Sequence, residues 1–266
     1  MIYALLGAVA IGLVLGLLGS GGSILTVPVL IYLAGQPDKV AIAESLAIVG
    51  AIAAVGAGSY ARQGLVAWRS VVGFGVPGIV GTFLGATLAA YVPGGVQLVL
   101  FGVVMLAAAG AMLKGRAGLA GAERTPRSGW VIAALGVGVG VMTGLVGVGG
   151  GFLIVPALVL LIGLDMRLAV GTSLSIIVLN SLTGFLKYLD VLTEAGNAID
   201  WRLVGTFAAI GIMGSLVGTR LSQRVPQAAL RRGFAIFLVV MGVFILVKEA
   251  PTAFAPDLPT AAVVHP

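Results

Sequence analysis

Long apolar runs, punctuated by glycine, proline and short charged clusters, divide the chain near 2–34, 39–61, 69–91, 96–113, 130–163, 168–189, 203–221 and 229–247. Several exceed the roughly 20 residues needed to cross about 30 Å of hydrocarbon at 1.5 Å per residue, so the pattern predicts an all-α polytopic membrane protein. The opening Met1-Ile-Tyr-Ala carries no basic cluster and runs on without a cleavage-like boundary, so the first run is read as retained structure and not as a signal peptide.

The runs repeat. Gly16-Leu-Leu-Gly-Ser-Gly-Gly-Ser-Ile-Leu-Thr-Val-Pro28 returns 128 positions later as Gly144-Leu-Val-Gly-Val-Gly-Gly-Gly-Phe-Leu-Ile-Val-Pro156. The same offset aligns Gly12 with Gly140, Ser45 with Ser173 and Tyr60 with Tyr188. After a five-residue insertion it becomes 133, pairing Trp68 with Trp201, Gly81 with Gly214, Gly85 with Gly218 and Pro93 with Pro226. The chain therefore divides into a first transmembrane repeat (1–113), a basic linker (114–128), a second repeat (129–248) and a flexible tail (249–266). Glycine-interrupted apolar segments at matching places in two halves are the mark of a secondary transporter whose site lies at the breaks.

The first run of each half is too long for a single span, since 33 residues (2–34) of helix would reach about 50 Å. Gly19, Gly21 and Gly22 in one copy, and Gly147, Gly149, Gly150 and Gly151 in the other, each followed by a proline, supply the break. Each run is read as a helical hairpin or a pair of short helices whose turn dips into the membrane, which is tolerated only where the unwound backbone is buried or faces a wet cavity. If each hairpin returns to its starting side, the repeats are inverted. Arg62, Arg69, Lys114, Arg116, Arg124, Arg127, Arg167, Arg220, Arg224, Arg231 and Arg232 then share the cytoplasmic side, eleven of the fifteen basic residues. Lys39, Lys187, Arg202 and Lys248 fall outside. A single crossing would give parallel repeats and a nine-to-six split, so the positive-inside rule favours inversion.

Composition narrows the chemistry. With 59% hydrophobic and 9% charged residues and a mean hydropathy of +1.17, the chain is built for a bilayer. The net charge of +6 reflects Lys and Arg between apolar runs, the placement of topology determinants and not of a nucleic-acid surface. There is no cysteine, and the single histidine, His265, lies one residue from the end. Cys-ligated metals, thiolate nucleophiles and a Ser/His hydrolase centre in the membrane are thereby removed, and no cofactor or metal is expected. Trp68, Trp201 and Tyr91 sit near segment ends as interfacial anchors do, and the spacing of Ala47, Gly50, Ala51, Ala54, Ala57 and Gly58 suits close helix packing.

A short helix beginning after Gly22, and its counterpart after Gly150, would present unpaired N–H groups and a positive dipole end at the glycine turn, a way to bind an anion without a basic side chain. Ser20, Ser23 and Thr26 add hydroxyls at the first copy, whereas the second is more apolar. The bland alternative is that the glycines only permit a tight turn. A second polar cluster, Glu44-Ser45 in the first half and Thr172-Ser173, Ser175, Asn180 and Ser181 in the second, follows the hairpins. Ser45 and Ser173 are expected to approach one central cavity by pseudo-symmetry; the alternative is that such hydroxyls bond back to their own helices. Glu44 lies about 8 Å inside the Asp38-Lys39 boundary and is a candidate for proton coupling, or else an interfacial glutamate paired with Lys39.

The paired motifs Gly19-Ser-Gly-Gly-Ser with Pro28 and Gly147-Val-Gly-Gly-Gly with Pro156, with the aligned Ser45 and Ser173, resemble those of the TauE/SafE family of membrane permeases, the sulfite exporters. The resemblance covers nearly all of residues 1–248. It implies carriage of a small sulfur-containing anion, sulfite or an organosulfonate such as sulfoacetate, across the cytoplasmic membrane, in several members outward. The expected partners are that anion and the lipid bilayer, with a homodimer left open. The residues alone support a site for a small oxyanion, used by an alternating-access carrier, an anion channel or an uptake carrier. An intramembrane enzyme using Ser20 or Ser173 as nucleophile would lack any histidine or cysteine to activate it.

Overall fold

The computed structural model describes residues 2–114, 129–146, 151–194 and 196–253. Among them the chain is helical: α1 (Ile2–Leu18), α2 (Gly21–Tyr32), α3 (Asp38–Arg62), α4 (Trp68–Ala89) and α5 (Gly94–Lys114) in the first half. The second half contains α6 (Gly129–Val146), α7 (Gly151–Pro156, continued by a π-helical segment Ala157–Ile162), α8 (Met166–Glu194), α9 (Trp201–Ser222) and α10 (Gln227–Ala253). Seven helices, α3 to α6 and α8 to α10, are long and apolar enough to cross a membrane. The linker of residues 115–128 and the tail from 254 onward lie outside the described residues, and α10 runs five residues past the expected end of its repeat at 248.

The expected break in the first run is present. Gly19 adopts φ 76°, a left-handed conformation open to glycine and costly for other residues, and its N–H still donates to Leu15 O at 2.8 Å. The chain then reverses. A Cβ placed on Gly7 would touch Val29 at 2.7 Å and one on Gly22 would meet Ile11 O at 2.1 Å, so α1 and α2 form an antiparallel hairpin. With 12 residues, α2 is about 18 Å long and cannot cross the hydrocarbon.

The duplication read from the sequence is repeated in the hydrogen bonds. Gln36 N donates to Leu30 O and Leu164 N to Leu158 O, both at 3.0 Å, each beside a left-handed glycine, Gly35 and Gly163, that ends its helix. Lys39 Nζ donates to Val92 O at 2.9 Å, and Arg167 Nη2 reaches Val225 O at 3.3 Å. Tyr60 Oη donates to Gly16 O at 3.0 Å and Tyr188 Oη to Leu145 O at 3.4 Å. These pairs obey the 128 or 133 offset, except that Tyr188 bonds Leu145, one residue beyond the equivalent of Gly16.

The halves exchange partners. Helix α1 runs parallel to α9, so close that a Cβ on Gly12 would lie 2.0 Å from Gly211 O and one on Gly16 2.1 Å from Ser215 O. The equivalent pair, α6 on α4, has Gly140 2.2 Å from Gly78 O and Gly144 2.0 Å from Thr82 O by the same measure. Helices α3 and α8, equivalents of each other, cross antiparallel: Gly56 faces Leu174, Gly50 faces Ser181, and Leu46 faces Gly184. Helices α5 and α10 also run antiparallel, Gly102 against Gly242 and Leu246, with Arg231 Nη2 donating to Met112 O at 2.9 Å.

These contacts sort the charges. Helices α3, α5 and α9 end, and α4, α8 and α10 begin, at one end of the bundle, where Gln223 bonds Gln63 and Arg167 reaches Gln223 O. Arg62, Arg69, Arg167, Arg220, Arg224, Arg231 and Arg232 belong to that end; Asp165 is its one described acidic residue. The other end holds Lys39, Lys187, Arg202 and Lys248 with Asp38, Glu44, Asp190, Glu194, Asp200 and Glu249. Trp68, Trp201 and Tyr91 are exposed at helix ends.

Leucine at Gly12 or Gly144 would collide with a carbonyl that no side-chain rotation can move. Each substitution is expected to lower the thermal midpoint of the detergent-solubilised protein by an amount equivalent to about 1–3 kcal/mol or more. Gly58→Leu and Gly138→Leu, whose Cβ positions meet nothing within 4 Å, are expected to leave it unchanged.

Candidate functional site

The hairpin turn lies inside the bundle, held by the opposite half. Ser173 Oγ donates to Gly19 O at 3.1 Å and to Val170 O at 2.8 Å. Ser173 is seven residues into α8, so the turn sits about 10 Å in from the basic end. Ser20 caps α2 without using its side chain; it is fully buried and its hydroxyl has no partner. Ser23 N donates to Ser20 O at 3.2 Å, while Gly21 and Gly22, as the first residues of α2, have N–H groups with no acceptor inside their own helix.

The remaining hydroxyls of the motif are less available. Ser23 Oγ donates to Ser20 O at 2.6 Å and Thr26 Oγ1 to Gly22 O at 2.9 Å, the local back-bonding open to any helical serine or threonine. Gly21 packs against Val14 and Gly22 against the backbone of α1, so these two glycines also make the hairpin tight. In the second copy, Gly147, Gly149 and Gly150 lie outside the described residues, and Gly151 opens α7.

Ser45 and Ser173 do not meet. On antiparallel helices that cross near Gly50 and Ser181, Ser173 lies toward the basic end and Ser45, bonded to Ile42 O at 2.8 Å, toward the acidic end. Ser173 is level with about residue 57 of α3, so the two serines stand about 18 Å apart along the axis. The reason is geometric: equivalent positions on antiparallel partners coincide only at the crossing point.

Glu44 and Thr172 are equivalents under the 128 offset and do the same work. Glu44 Oε1 accepts from Asp200 N at 2.9 Å and Thr172 Oγ1 accepts from Ala67 N at 2.9 Å, each tying down the residue that precedes a long helix of the opposite half, α9 or α4. Glu44 is not paired with Lys39, whose ammonium is occupied by the carbonyls of Ala89 and Val92. Its second oxygen, Oε2, is buried without a partner.

Sequence reasoning passed over Thr82, Ser215 and Thr219, all buried with unpartnered hydroxyls. Thr82 and Ser215 are equivalents at offset 133, so the repeat alignment could have found them. Asn180, by contrast, was singled out; it is fully buried, and neither its amide nitrogen nor its amide oxygen has a partner. Ser175 bonds back to Gly171 O at 3.2 Å, and Ser181 has no partner. A cavity of about 260 Å³ at the α3–α8 crossing is lined by Leu46, Ala47, Gly50, Val178, Ser181 and Phe185. Among the described residues no group of three or more His, Cys, Asp or Glu side chains is placed to hold a metal ion.

A bundle of seven spanning-length helices with buried neutral donors and interrupted helices at depth defines a polytopic membrane transporter. Residues 4–245 match the family described as Sulfite exporter TauE/SafE, and the chain belongs to that family. It is 34% identical over 242 residues to a protein of Xylella fastidiosa strain 9a5c named "Probable membrane transporter protein", covering 89% of this chain and 91% of that one. Similar proteins from Methanocaldococcus jannaschii, 27% identical over 90% of this chain and 94% of the other, and from Bacillus subtilis, 24% identical over 89% and 96%, are likewise named as membrane transporters. No solved structure matches the chain. These names describe transporters and not enzymes.

Removing the Glu44 acceptor is expected to free the α8–α9 connection. Glu44→Gln keeps an oxygen for Asp200 N and should change stability by less than about 0.5 kcal/mol, whereas Glu44→Leu removes the acceptor of that half-buried donor and should cost about 0.5–1.5 kcal/mol, read as thermal midpoints in detergent.

Proposed function

We propose that this protein exports a small sulfur-containing anion, sulfite or an organosulfonate such as sulfoacetate, from the cell by alternating access in the cytoplasmic membrane. The observation that carries the reading is the buried N-terminus of α2. The Gly21 and Gly22 amides, which have no acceptor inside α2, the positive end of the helix dipole and the unpartnered Ser20 hydroxyl lie there, next to Ser173. An oxyanion is the ligand those groups suit, because it accepts several hydrogen bonds while neutral donors hold it weakly enough to release.

The charge asymmetry supports an orientation with the basic end in the cytoplasm, and the antiparallel relation of α3 to α8 and of α5 to α10 supports inverted repeats. In that orientation the Gly19–Ser23 turn is the site loaded from inside, with Thr26 and Ser173 around it. By the repeat, the outward-facing role falls to Gly147, Gly149, Gly150, Gly151 and Ser45, and Asn180 lies deeper in the bundle than the Gly19 turn, while Thr172 holds Ala67 N. Export down an inside-negative potential is helped by about 2.3 kcal/mol per charge per 100 mV, so no coupled ion is required. The unpartnered Oε2 of Glu44 favours a second reading, proton-coupled uptake of a small oxyanion, in which that carboxyl carries the proton.

Purified protein in liposomes is expected to move labelled sulfite or sulfoacetate with saturation and counterflow, which a channel would not give. Ser20→Ala should lower the transport kcat/KM about tenfold or more, the effect of one lost hydrogen bond to a charged group, at an unchanged thermal midpoint. Transport at the full rate in that variant would count against the site. Glu44→Gln separates export from coupled uptake: it should abolish pH-gradient-driven accumulation if the carboxyl carries protons and leave export untouched if it does not.

A further inference from the structure

The two copies of the repeat differ sharply at one central position. Offset 128 pairs Asn180 on α8 with Ile52 on α3. Ile52 fills its place with hydrocarbon: a Cβ on Gly211 of α9 would lie 2.3 Å from Ile52 Cδ1. The surroundings of Asn180 keep the same design, since Gly78 of α4 is the counterpart of Gly211 and Gly136 of α6 that of Ala8. A Cβ on Gly78 would stand 3.3 Å from Asn180 Oδ1 and 3.6 Å from Nδ2. Packing asks for an apolar side chain in this slot, and the first half supplies one. The second half instead buries a whole amide with none of its hydrogen bonds made.

Asn180 has company. One turn beyond Gly78 on α4, Thr82 is fully buried with its hydroxyl unpartnered, and its methyl lies 3.4 Å from the Cβ position of Gly184, one turn beyond Asn180 on α8. The α4–α8 seam thus carries three orphaned polar atoms within a single helical turn. That turn is level with the α3–α8 crossing, about 10 Å deeper than Ser173 and the Gly19 turn. The formally charged residues of α8 are Arg167, Lys187, Asp190 and Glu194, none closer in sequence than seven positions, and α4 carries only Arg69. The seam is a low-dielectric place furnished with neutral donors.

We propose that Asn180 and Thr82 form an uncharged oxyanion station at the centre of the bundle, where the Nδ2 amide and the Oγ1 hydroxyl donate to the oxygens of the passing sulfite or sulfonate. The station rests on the substrate reading above and adds to it a specific midpoint present in one half alone. Passage through the seam is therefore asymmetric even though the scaffold is duplicated. Neutral dipoles suit the role, because a fixed lysine or arginine at this depth would hold the anion too tightly to let it leave. The amide's two N–H groups and the hydroxyl orient a group with several acceptor oxygens, which chloride does not offer.

The experiment uses full-length protein in liposomes with labelled sulfite and labelled sulfoacetate, together with the thermal midpoint in detergent with and without each anion. Asn180→Ile copies the side chain that the first half tolerates, so the fold should be kept, with a midpoint at or above that of the parent. Its initial transport rate should fall at least tenfold, with a raised KM and loss of the anion-dependent rise in midpoint. Thr82→Val should act in the same direction, and Thr82→Ser, which retains the hydroxyl, should transport normally. A folded Asn180→Ile with the parent's rate and KM overturns the station while leaving the substrate reading intact. If Asn180→Ile does not fold, Thr82→Val decides, and parental transport in that variant overturns the station. A parent protein that neither moves nor is stabilised by either anion overturns the substrate reading and the station together.

Discussion

The structure depends on glycine faces that let backbones of opposite halves touch. In lipid there is no hydrophobic force between two apolar helices, so association rests on close van der Waals packing and on polar contacts. Here α1 is seated on α9 and α6 on α4, with glycines against carbonyls at every turn of the seam, and neither α1 nor α6 finds its main partner in its own half. Hydrogen bonds across the exchange reinforce it. Tyr60 Oη holds Gly16 O and also meets Ser222 of α9 at 2.6 Å, while Ser173 of α8 holds Gly19 O. The hairpin of the first repeat is thus fixed by residues of the second.

This exchange limits how the protein can move. Contacts between a glycine and a backbone carbonyl have no slack, so α1 with α9, and α4 with α6, behave as rigid pairs. The halves defined by sequence are therefore not the bodies that shift. Looser surfaces are found at the α3–α8 crossing, where Gly50 meets only the Cβ of Ser181 and a cavity of about 260 Å³ stands open beside it. Movement of one rigid pair against the other about that crossing would leave the α1–α9 and α4–α6 seams intact, and it would alter the surroundings of the Gly19 turn, since Ser173 bridges α8 to it.

The repeat, the hairpin break and the charge asymmetry were all legible in the sequence, because each is written as spacing. Gly19 had to be left-handed for the chain to reverse, and the alignment of Tyr60 with Tyr188 marked two side chains with one structural task. Partner choice was not legible. Spacing says that Ser45 and Ser173 are equivalent, but antiparallel equivalents meet only near their crossing, which involves Gly50, Val178 and Ser181. Small-residue spacing in α3 likewise picked out Gly58, whose Cβ position faces nothing, and missed Gly56, which packs against Leu174. Thr82 and Ser215 escaped notice because a single hydroxyl in an apolar run has no pattern, and only burial without a partner makes it informative.

Glu44 and Thr172 bear on coupling to protons. Both side chains do one structural task, accepting the N–H of the residue just before a long helix of the opposite half, and a threonine hydroxyl suffices for it on α8. The carboxyl of Glu44 therefore brings something the scaffold does not need: a second oxygen, buried and unpartnered. An unmet acceptor of this kind costs about 1–3 kcal/mol, and more when charged, so the first half bears a penalty that its twin avoids. The same comparison applies at Asn180 and Ile52. Where a duplicated scaffold performs a task twice with different side chains, the cheaper solution gives the structural requirement, and the excess polarity of the costlier one is the part that packing does not ask for.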